Sequence, residues 1–257
     1  MAGSGETCRG LVLRSTDISD NDKLLTVLSA EYGKISICAK GARSLKSKYM
    51  AVSQQFAYAD FTYTERGGYR WLKDASLVES FFSVRRDISR LALACYIASV
   101  GEQLALEHTE DIPLLRLLLN TLYLLCEDKY EIPHIKAVFE LFATSNAGFQ
   151  PEIECCGSCG SVSDISHFDI IGGVCLCSAC AKALYTSEGV DTTFLYPITP
   201  GIIDAVKYVL SPSTKNVFSF KLPEDEMKSF RIFCEKYLLS QLDCGFKTLS
   251  FYHEVTD

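Results

Sequence analysis

Two cysteine pairs in the second half of the chain restrict its fold more than any other feature. Cys156 and Cys159 form one C-x-x-C pair, Cys177 and Cys180 form the other, and seventeen residues separate the pairs. This spacing is typical of a site in which four thiolates bind one zinc ion. Four protein ligands leave no position for water or substrate, so such a site stabilises a fold and does not catalyse. The pattern predicts one structural Zn²⁺ bound by these four cysteines.

Two further cysteines, Cys155 and Cys175, lie in the same segment. They would give pairs with three and one intervening residues, so we leave them out of the predicted ligand set. The alternative interpretations of the cluster are buried free thiols or a redox-active C-x-x-C pair. Gly172-Gly173 precedes the second pair and suits a β-hairpin of the kind that zinc ribbons use. We therefore predict a zinc-ribbon-like element.

The remaining six cysteines are scattered, several of them within apolar runs, where cysteine behaves as a small hydrophobic residue. No charged-then-apolar signal peptide opens the chain. The most leucine-rich run, residues 114–125, is too short to cross a bilayer and is interrupted by Arg116 and Asn120. We therefore expect a soluble protein of the reducing cytoplasm with no membrane partner.

The charge of the chain is unevenly distributed. The formal net charge is −7, yet residues 1–80 carry eleven Lys or Arg against nine Asp or Glu, and the rest carries fourteen against twenty-three. Five basic residues and no acidic residue lie between Tyr32 and Ala59: Lys34, Lys40, Arg43, Lys46 and Lys48. This local excess predicts an anionic partner at one place on the surface. The alternative is an ordinary solvated loop.

Residues 7–80 have the pattern of β structure. We predict strands at residues 7–15, 23–30, 34–40, 56–65 and 69–78, and Gly67-Gly68 supplies a hairpin turn before the last of them. Five short strands in about seventy residues indicate a small barrel such as the OB-fold, although the pattern alone also allows an SH3-like barrel.

After residue 80 the apolar residues follow a helical period. Helices are predicted at residues 88–108, 113–127, 133–148, 200–210 and 223–242. The predicted fold is an α+β multidomain chain: an N-terminal five-stranded OB-fold β-barrel, then an α-helical domain with an inserted four-cysteine zinc-ribbon-like element. The predicted boundaries are 1–80 for the barrel, 81–150 and 189–257 for the two parts of the helical domain, and 151–188 for the zinc-binding insert.

No catalytic arrangement is recognisable in the sequence. His108-Thr109-Glu110 imitates the H-x-E of zinc deaminases, but the P-C-x-x-C partner is missing. Gly41 is followed five residues later by Lys46-Ser47, as in part of a P-loop, but the second glycine of that motif is missing. We therefore predict a binding protein with no catalytic residues and no enzymatic activity.

Several segments spread along the chain share one further property. They are Arg9–Arg14, Asp22–Ser29, Tyr32–Arg43, Glu79–Phe81 before Arg86-Asp87, Cys156–Gly160, Gly172-Gly173 and Cys177–Cys180. All of them closely resemble the RecO family of bacterial recombination mediators. The resemblance covers about residues 7–245, and residues 34–43 are its most specific part.

The resemblance implies a non-enzymatic role in recombinational DNA repair. Such proteins bind single- and double-stranded DNA, anneal complementary strands and, with RecR and the wider RecF pathway, help load the RecA recombinase onto DNA coated by single-strand-binding protein. The family also suggests that the helical region binds the tail of single-strand-binding protein. It implies a bacterial cytoplasmic protein associated with the nucleoid.

An OB-fold binds single strands through cations that contact phosphates and aromatic rings that stack on bases. The predicted DNA-binding cations are Lys34, Lys40, Arg43, Lys46 and Lys48, with Arg14 and Lys23 as weaker additions. The aromatic candidates are Tyr49, Phe61, Tyr63, Tyr69 and Trp71, of which we expect at most two to face DNA, since alternating aromatics on strands usually pack the barrel core.

Two other functions remain compatible with the sequence. One is an RNA- or transcription-associated zinc-ribbon protein with an OB-fold. A preference for annealing complementary DNA strands over binding RNA would exclude it. The other is an adaptor that binds proteins through its helices and has no DNA affinity. A mobility shift of DNA by the protein at low salt would exclude this function.

Overall fold

The computed structural model describes residues 5–187, 191–213 and 216–256. The chain divides into two compact units. We call Met1–Lys129 with Phe246–Asp257 the barrel unit, and Tyr130–Gly245 the cysteine unit. The domain boundaries predicted after residues 80, 150 and 188 stay predictions, and the last of them falls on residues outside the described part.

Five strands close the barrel in the order β1-β2-β3-β5-β4. They are β1 (Glu6–Asp17), β2 (Lys23–Ser29), β3 (Gly33–Ala39), β4 (Tyr58–Arg66) and β5 (Tyr69–Glu79). Neighbouring strands pair antiparallel except β3 and β5, which pair in parallel with Cys38 opposite Trp71. The predicted five-stranded barrel is confirmed.

The barrel core follows from the alternation of side chains along its strands. On β4, Ala59, Phe61 and Tyr63 are buried, and the residues between them are only half-buried. Inward residues of β2 and β3, such as Val27 and Ile37, complete the same apolar cluster. Because a strand places alternate side chains on opposite faces, this pattern leaves the intervening residues for the outer surface of the barrel.

Seven α-helices lie in the described part of the chain after the barrel. They are α1 (Ile88–Leu104), α2 (Ile112–Cys126), α3 (Ile132–Asn146), α4 (Ser178–Thr186), α5 (Pro200–Leu210), α6 (Glu224–Leu242) and α7 (Lys247–Thr256). The five predicted helices correspond to α1, α2, α3, α5 and α6, whereas α4 and α7 were not predicted. A 3₁₀ helix, Phe82–Arg86, precedes α1. None of these helices has the length and apolar character needed to cross a membrane.

Local sequence signals explain where several helices begin. The Asp87 side chain accepts a hydrogen bond from the Arg90 backbone N–H, and Asp111 does the same for Leu114, so both carboxylates cap their helices. Pro113, Pro133 and Pro200 occupy first-turn positions, where a missing N–H costs nothing.

Helix α7 returns to the barrel unit and packs against α1. The Phe246 ring, just before α7, meets Tyr96 edge-on at a centroid distance of 5.6 Å, and Thr248 and Ser99 share a hydrogen bond of 3.1 Å between their hydroxyls. Residues after 245 therefore complete a unit that the first half of the chain begins.

The cysteine unit combines helices α3, α5 and α6 with a four-stranded sheet. Its strands are β6 (Glu152–Cys156), β7 (Ile165–Asp169), β8 (Val174–Cys177) and β9 (Leu195–Pro197), in the order β6-β8-β7-β9. Phe168 of β7 meets Phe233 and Tyr237 of α6 edge-to-face at 5.0 and 5.3 Å. These rings lie in one apolar cluster, so the sheet and α6 share a core.

His134, on the first turn of α3, is a buried titratable group within this unit. Its ring lies 4.8 Å from Phe220 and 5.8 Å from Phe218, measured between centroids. Burial, and then the charge of Arg231, lower the pKa of this imidazole. Its Nε2 has no hydrogen-bond partner among the described residues. The neutral form of His134 is therefore the one that the fold accommodates.

We expect the cysteine unit to lose stability as the pH falls from about 7 to about 5, through the ordinary histidine pKa of about 6.5. The native pKa of His134 lies below the unfolded value, so the unfolded chain takes up the proton first and stability is lost on acidification. His134→Gln should flatten this dependence, as measured by thermal unfolding across that range. The matched control is His108→Gln at an exposed position. Equal slopes for the wild type and His134→Gln would contradict the assignment.

Candidate functional site

Four cysteine sulfurs converge at one end of the small sheet. The Sγ atoms of Cys156, Cys159, Cys177 and Cys180 all lie within 4.8 Å of one another, and those of Cys159 and Cys177 are 3.7 Å apart. Two of the thiols are buried, Cys180 is half-buried and Cys159 is exposed. The structure thus brings together the four residues that the spacing selects.

The first pair lies on a tight turn that follows β6. The backbone N–H of Gly160 donates to the carbonyl of Cys156, and the N–H of Cys156 donates to the carbonyl of Ser161, both at 2.8 Å. Gly160 has a φ of +74°, a conformation that a residue with a side chain adopts only with strain. The glycine after the second cysteine therefore closes the turn that directs both sulfurs to one point.

The second pair lies at the start of α4. Cys177 is the N-cap residue of this helix, and Cys180 lies in its first turn. This position gives α4 a role that its weak sequence pattern does not reveal, because it holds two of the four sulfurs.

The electrostatics of the cluster favour ionised sulfur at Cys156. Burial opposes ionisation of this thiol, but hydrogen bonds from backbone N–H groups outweigh it and lower its pKa to about 6. Because metal ions bind the thiolate, the lowered pKa of Cys156 favours metal binding at this turn. A tetrahedral Zn²⁺ with bonds of about 2.3 Å requires sulfurs about 3.8 Å apart. The four sulfurs therefore fit a thiolate-binding metal ion such as zinc.

The two neighbouring cysteines lie outside this group. Cys155 is exposed on the edge strand β6. Cys175 is fully buried in the apolar core of the cysteine unit, and burial raises the pKa of its thiol to about 11. Neither thiol belongs to the group of four converging sulfurs, and Cys175 is used by the apolar core instead.

Four of the seven predicted cations lie on the chain that joins β3 to β4, residues 40–57: Lys40, Arg43, Lys46 and Lys48. The other three lie on strands, and two of them, Arg14 and Lys34, contact Glu102 of α1 instead. The loop of residues 40–57 packs on the turn between β1 and β2: the N–H of Gly41 donates to the Asp22 carboxylate at 2.9 Å, and an Nη of Arg43 donates to the carbonyl of Ser19 at 2.6 Å. The basic loop is thus anchored beside an acidic turn. Carboxylates of the barrel can therefore pair with some of its cations.

Three of the seven predicted cations form exposed ion pairs within the described residues. The pairs are Arg14 with Glu102 at 2.8 Å, Arg43 with Asp17 at 3.2 Å, and Lys48 with Asp74 at 2.9 Å. Exposed pairs of this kind contribute about 0–1 kcal/mol each, so an anionic ligand can compete for the cation at small cost.

The other four predicted cations differ in their surroundings. The half-buried Lys34 donates from Nζ to the carbonyl of Glu102 at 3.0 Å, and Lys23 donates to the Ser15 hydroxyl at 3.3 Å. Lys40 and Lys46 are exposed and form no ion pair within the described part of the chain. These two lysines are therefore the most available positive charges of the predicted set.

The aromatic candidates separate into two groups. Phe61 and Tyr63 are buried in the barrel core, as expected for alternating aromatics. Tyr49 and Trp71 are half-buried, and Tyr69 is 62% exposed. Three of the five therefore reach the surface, and the expectation that at most two of them face DNA stays a prediction.

A cavity of about 270 Å³ lies at the start of α1 and was not predicted from the sequence. Ser83, Arg86, Asp87, Arg90 and Cys126 line it. The signal that could have located it is the cluster of arginines at positions 85, 86 and 90, which is the densest basic run of the otherwise acidic second part of the sequence.

Comparison with known proteins covers nearly the whole chain. Residues 1–81 match the family described as Recombination protein O N terminal, and residues 85–250 match Recombination protein O C terminal. DNA repair protein RecO of Acetivibrio thermocellus is 29% identical over 243 residues, 94% of both chains. The RecO protein of Oceanobacillus iheyensis is 32% identical over 189 residues, 71% of this chain and 72% of its own. The chain therefore belongs to the RecO family of DNA repair proteins.

Proposed function

We propose that this chain is a non-enzymatic recombination mediator. It binds single- and double-stranded DNA through the barrel, anneals complementary strands and helps load the RecA recombinase onto DNA coated by single-strand-binding protein. The observation that carries the proposal is the pair of exposed lysines, Lys40 and Lys46, on the basic loop of a RecO-family barrel, where no described carboxylate pairs with them. RecR and the RecF pathway belong to the proposal on family grounds alone.

The cations of this loop differ in the free energy that phosphate binding costs them. Lys40 and Lys46 bind phosphates without giving up a carboxylate, whereas Arg43 and Lys48 must exchange Asp17 and Asp74 for the DNA backbone. Since the exposed pairs are weak, the exchange is favourable at low salt and lost at high salt. Such reversible contacts suit annealing, because the protein must screen the phosphates of two strands and then release the duplex.

We expect single-strand binding to use two to four cations of the loop. Counterion release contributes about 0.7 per phosphate, so the slope of log affinity against log salt should lie between about −1.4 and −2.8. Lys40→Gln/Lys46→Gln should make that slope less negative by about 1.4 and reduce annealing. Fluorescence anisotropy with a labelled oligonucleotide measures the slope.

The matched control is Lys221→Gln/Lys228→Gln, which removes two exposed lysines from the cysteine unit. An equal loss of DNA affinity in both double variants would attribute binding to total charge and overturn the loop assignment. Absence of DNA binding in the wild type at low salt would instead favour the adaptor function.

We further propose that the cysteine cluster holds one structural Zn²⁺. The ligands are Cys156, Cys159, Cys177 and Cys180, and when bound the ion supplies a closed, non-catalytic crosslink. The protein residues do the rest: the Gly160 turn and the start of α4 orient the sulfurs, and they join the ends of β6 and β8. The support is the convergence of four thiols at distances that suit tetrahedral zinc.

Cys156→Ser/Cys159→Ser should abolish zinc binding and unfold the metal-binding element, because binding energy at such sites, about 10 kcal/mol or more, is folding energy. Metal content by atomic absorption and the melting temperature are the measurements. Cys155→Ser is the control and should keep both. Cys175→Ser should lower the melting temperature by disturbing the core, yet retain zinc. Full zinc in the double variant would contradict the ligand assignment.

The tail of single-strand-binding protein is the proposed ligand of the cavity at the start of α1. That tail is acidic and ends in an aromatic residue. Arg86 is exposed, without an ion pair in the described part of the chain, whereas Arg90 is tied to the carbonyl of Leu125 and to Asp128. Phe82 and Ile88, beside the lining residues in sequence, expose apolar surface. Positive charge beside apolar surface is complementary to such a tail.

Arg86→Ala should weaken binding of an acidic peptide that ends in phenylalanine by about tenfold, as expected for one lost charged hydrogen bond. Calorimetric titration of the full chain without DNA measures this. Arg116→Ala removes an exposed arginine from α2 and serves as control. Unchanged affinity in Arg86→Ala, or equal loss in both variants, would rule out the cavity as the binding site.

A further inference from the structure

The outer surface of β5 carries a short row of aromatic rings. Tyr69 follows the Gly67-Gly68 turn and is largely exposed, and Trp71 lies two residues further along the same face. Their ring centroids are 6.3 Å apart, with an angle of 52° between the planes. We call Tyr69 and Trp71 the β5 platform. The barrel core does not need these rings, because Leu72 and the inward residues of β4 already fill it.

A lysine covers the larger of the two rings. The parallel pairing of β3 with β5 places Cys38 opposite Trp71, so the chain leaving β3 passes beside the indole. Lys40 Nζ lies 4.5 Å from the centroid of the Trp71 ring. This cation has no carboxylate partner in the described residues. The indole face is thus occupied by a long, exposed side chain that a ligand can displace.

A third ring nearby is less accessible. The Tyr49 hydroxyl donates to the carbonyl of Lys73 at 2.5 Å, which fixes the basic loop against β5. Lys48 lies over this ring at 5.0 Å from its centroid and is held by Asp74. Tyr49 therefore anchors the loop, and its ring is covered by Lys48. The aromatic surface that a ligand can reach is the β5 platform.

We propose that the β5 platform stacks on unpaired bases and makes the barrel select single strands over duplex. The inference rests on the proposed function, that the barrel binds DNA. Every base offers a π-face for stacking, so such a platform tolerates any sequence. In a duplex these faces are already stacked on neighbouring base pairs. Cations alone cannot distinguish the two forms, since both carry phosphates.

Lys40 has two roles in this arrangement. In the free protein it covers the Trp71 ring. When a base stacks on the ring, the ammonium group moves to a phosphate of the same strand. A cation–π contact is thus exchanged for a base–indole contact and a phosphate contact, and neither Asp22 nor Asp74 has to be displaced from its observed partner. The exchange couples base stacking to phosphate binding within one residue pair.

Trp71 is the only tryptophan of the chain, so its fluorescence reports directly on the platform. We expect an oligothymidylate of about 16 nucleotides, the upper site size of an OB-fold, to quench this fluorescence in the full chain. A duplex of the same length should bind, as seen by anisotropy of a labelled strand, with little change in tryptophan emission.

Substitution tests the platform independently. Tyr69→Ala should weaken single-strand binding by about tenfold or more and leave duplex binding unchanged, since stacking contributes at that level per base. Its side chain is exposed, so the fold should tolerate the change. Trp71→Phe keeps a smaller ring and should weaken single-strand binding less than Trp71→Ala. Tyr123→Ala, an exposed tyrosine of α2 in the same unit, is the control.

The outcomes separate this inference from the proposed function. Single-strand binding by anisotropy with unchanged tryptophan emission, and with wild-type affinity in Tyr69→Ala, would overturn the platform and leave DNA binding by the barrel intact. Equal losses for single strand and duplex in Tyr69→Ala would overturn the selectivity. No binding of either form at low salt would overturn both.

Discussion

The convergence of four thiols organises one end of the small sheet, where few apolar side chains are buried. Among the described residues, the apolar cluster around the site contains four that are buried, Cys156, Leu176, Cys177 and Ala181, and two of these are the proposed ligands. Strands β6 and β8 pair with an irregularity between Glu152 and Cys156. A core this small cannot stabilise a fold by itself. The proposed metal ion would substitute for the missing apolar contact at the sulfurs. Strand β8 connects this small cluster to the larger core through Cys175.

The barrel combines weak electrostatics with available aromatic surface. Its basic loop lies against an acidic turn, and the resulting ion pairs reduce the free positive charge to a few lysines. In a chain whose net charge is −7, such a loop can exert only modest long-range attraction on an anionic partner. Affinity that comes partly from stacking depends less on salt and more on whether bases are unpaired. This division suits the proposed function, in which the chain holds single strands and then releases a paired product.

The sequence predicted those features that depend on local pattern. Strand alternation identified the barrel, helical periodicity identified five helices, and cysteine spacing identified the four converging thiols. It could not predict contacts between distant residues, such as Arg43 with Asp17 or Lys40 with Trp71, since nothing local encodes them. Helix α7 was missed for the same reason, because its stability comes from packing on α1. The surface position of Tyr49 likewise follows from a loop conformation that no periodicity describes.

The return of α7 to α1 has a consequence for the order in which the chain can fold during synthesis. The cysteine unit is continuous from Tyr130 to Gly245, whereas the barrel unit needs Phe246 and α7 to cover α1. A ribosome exposes the N-terminal part first. The barrel strands emerge early, yet the face of α1 that packs on α7 stays uncovered until the whole cysteine unit has been made. The nascent chain thus carries an incomplete first unit through most of translation, and its native surface closes only when the segment encoded after residue 245 appears.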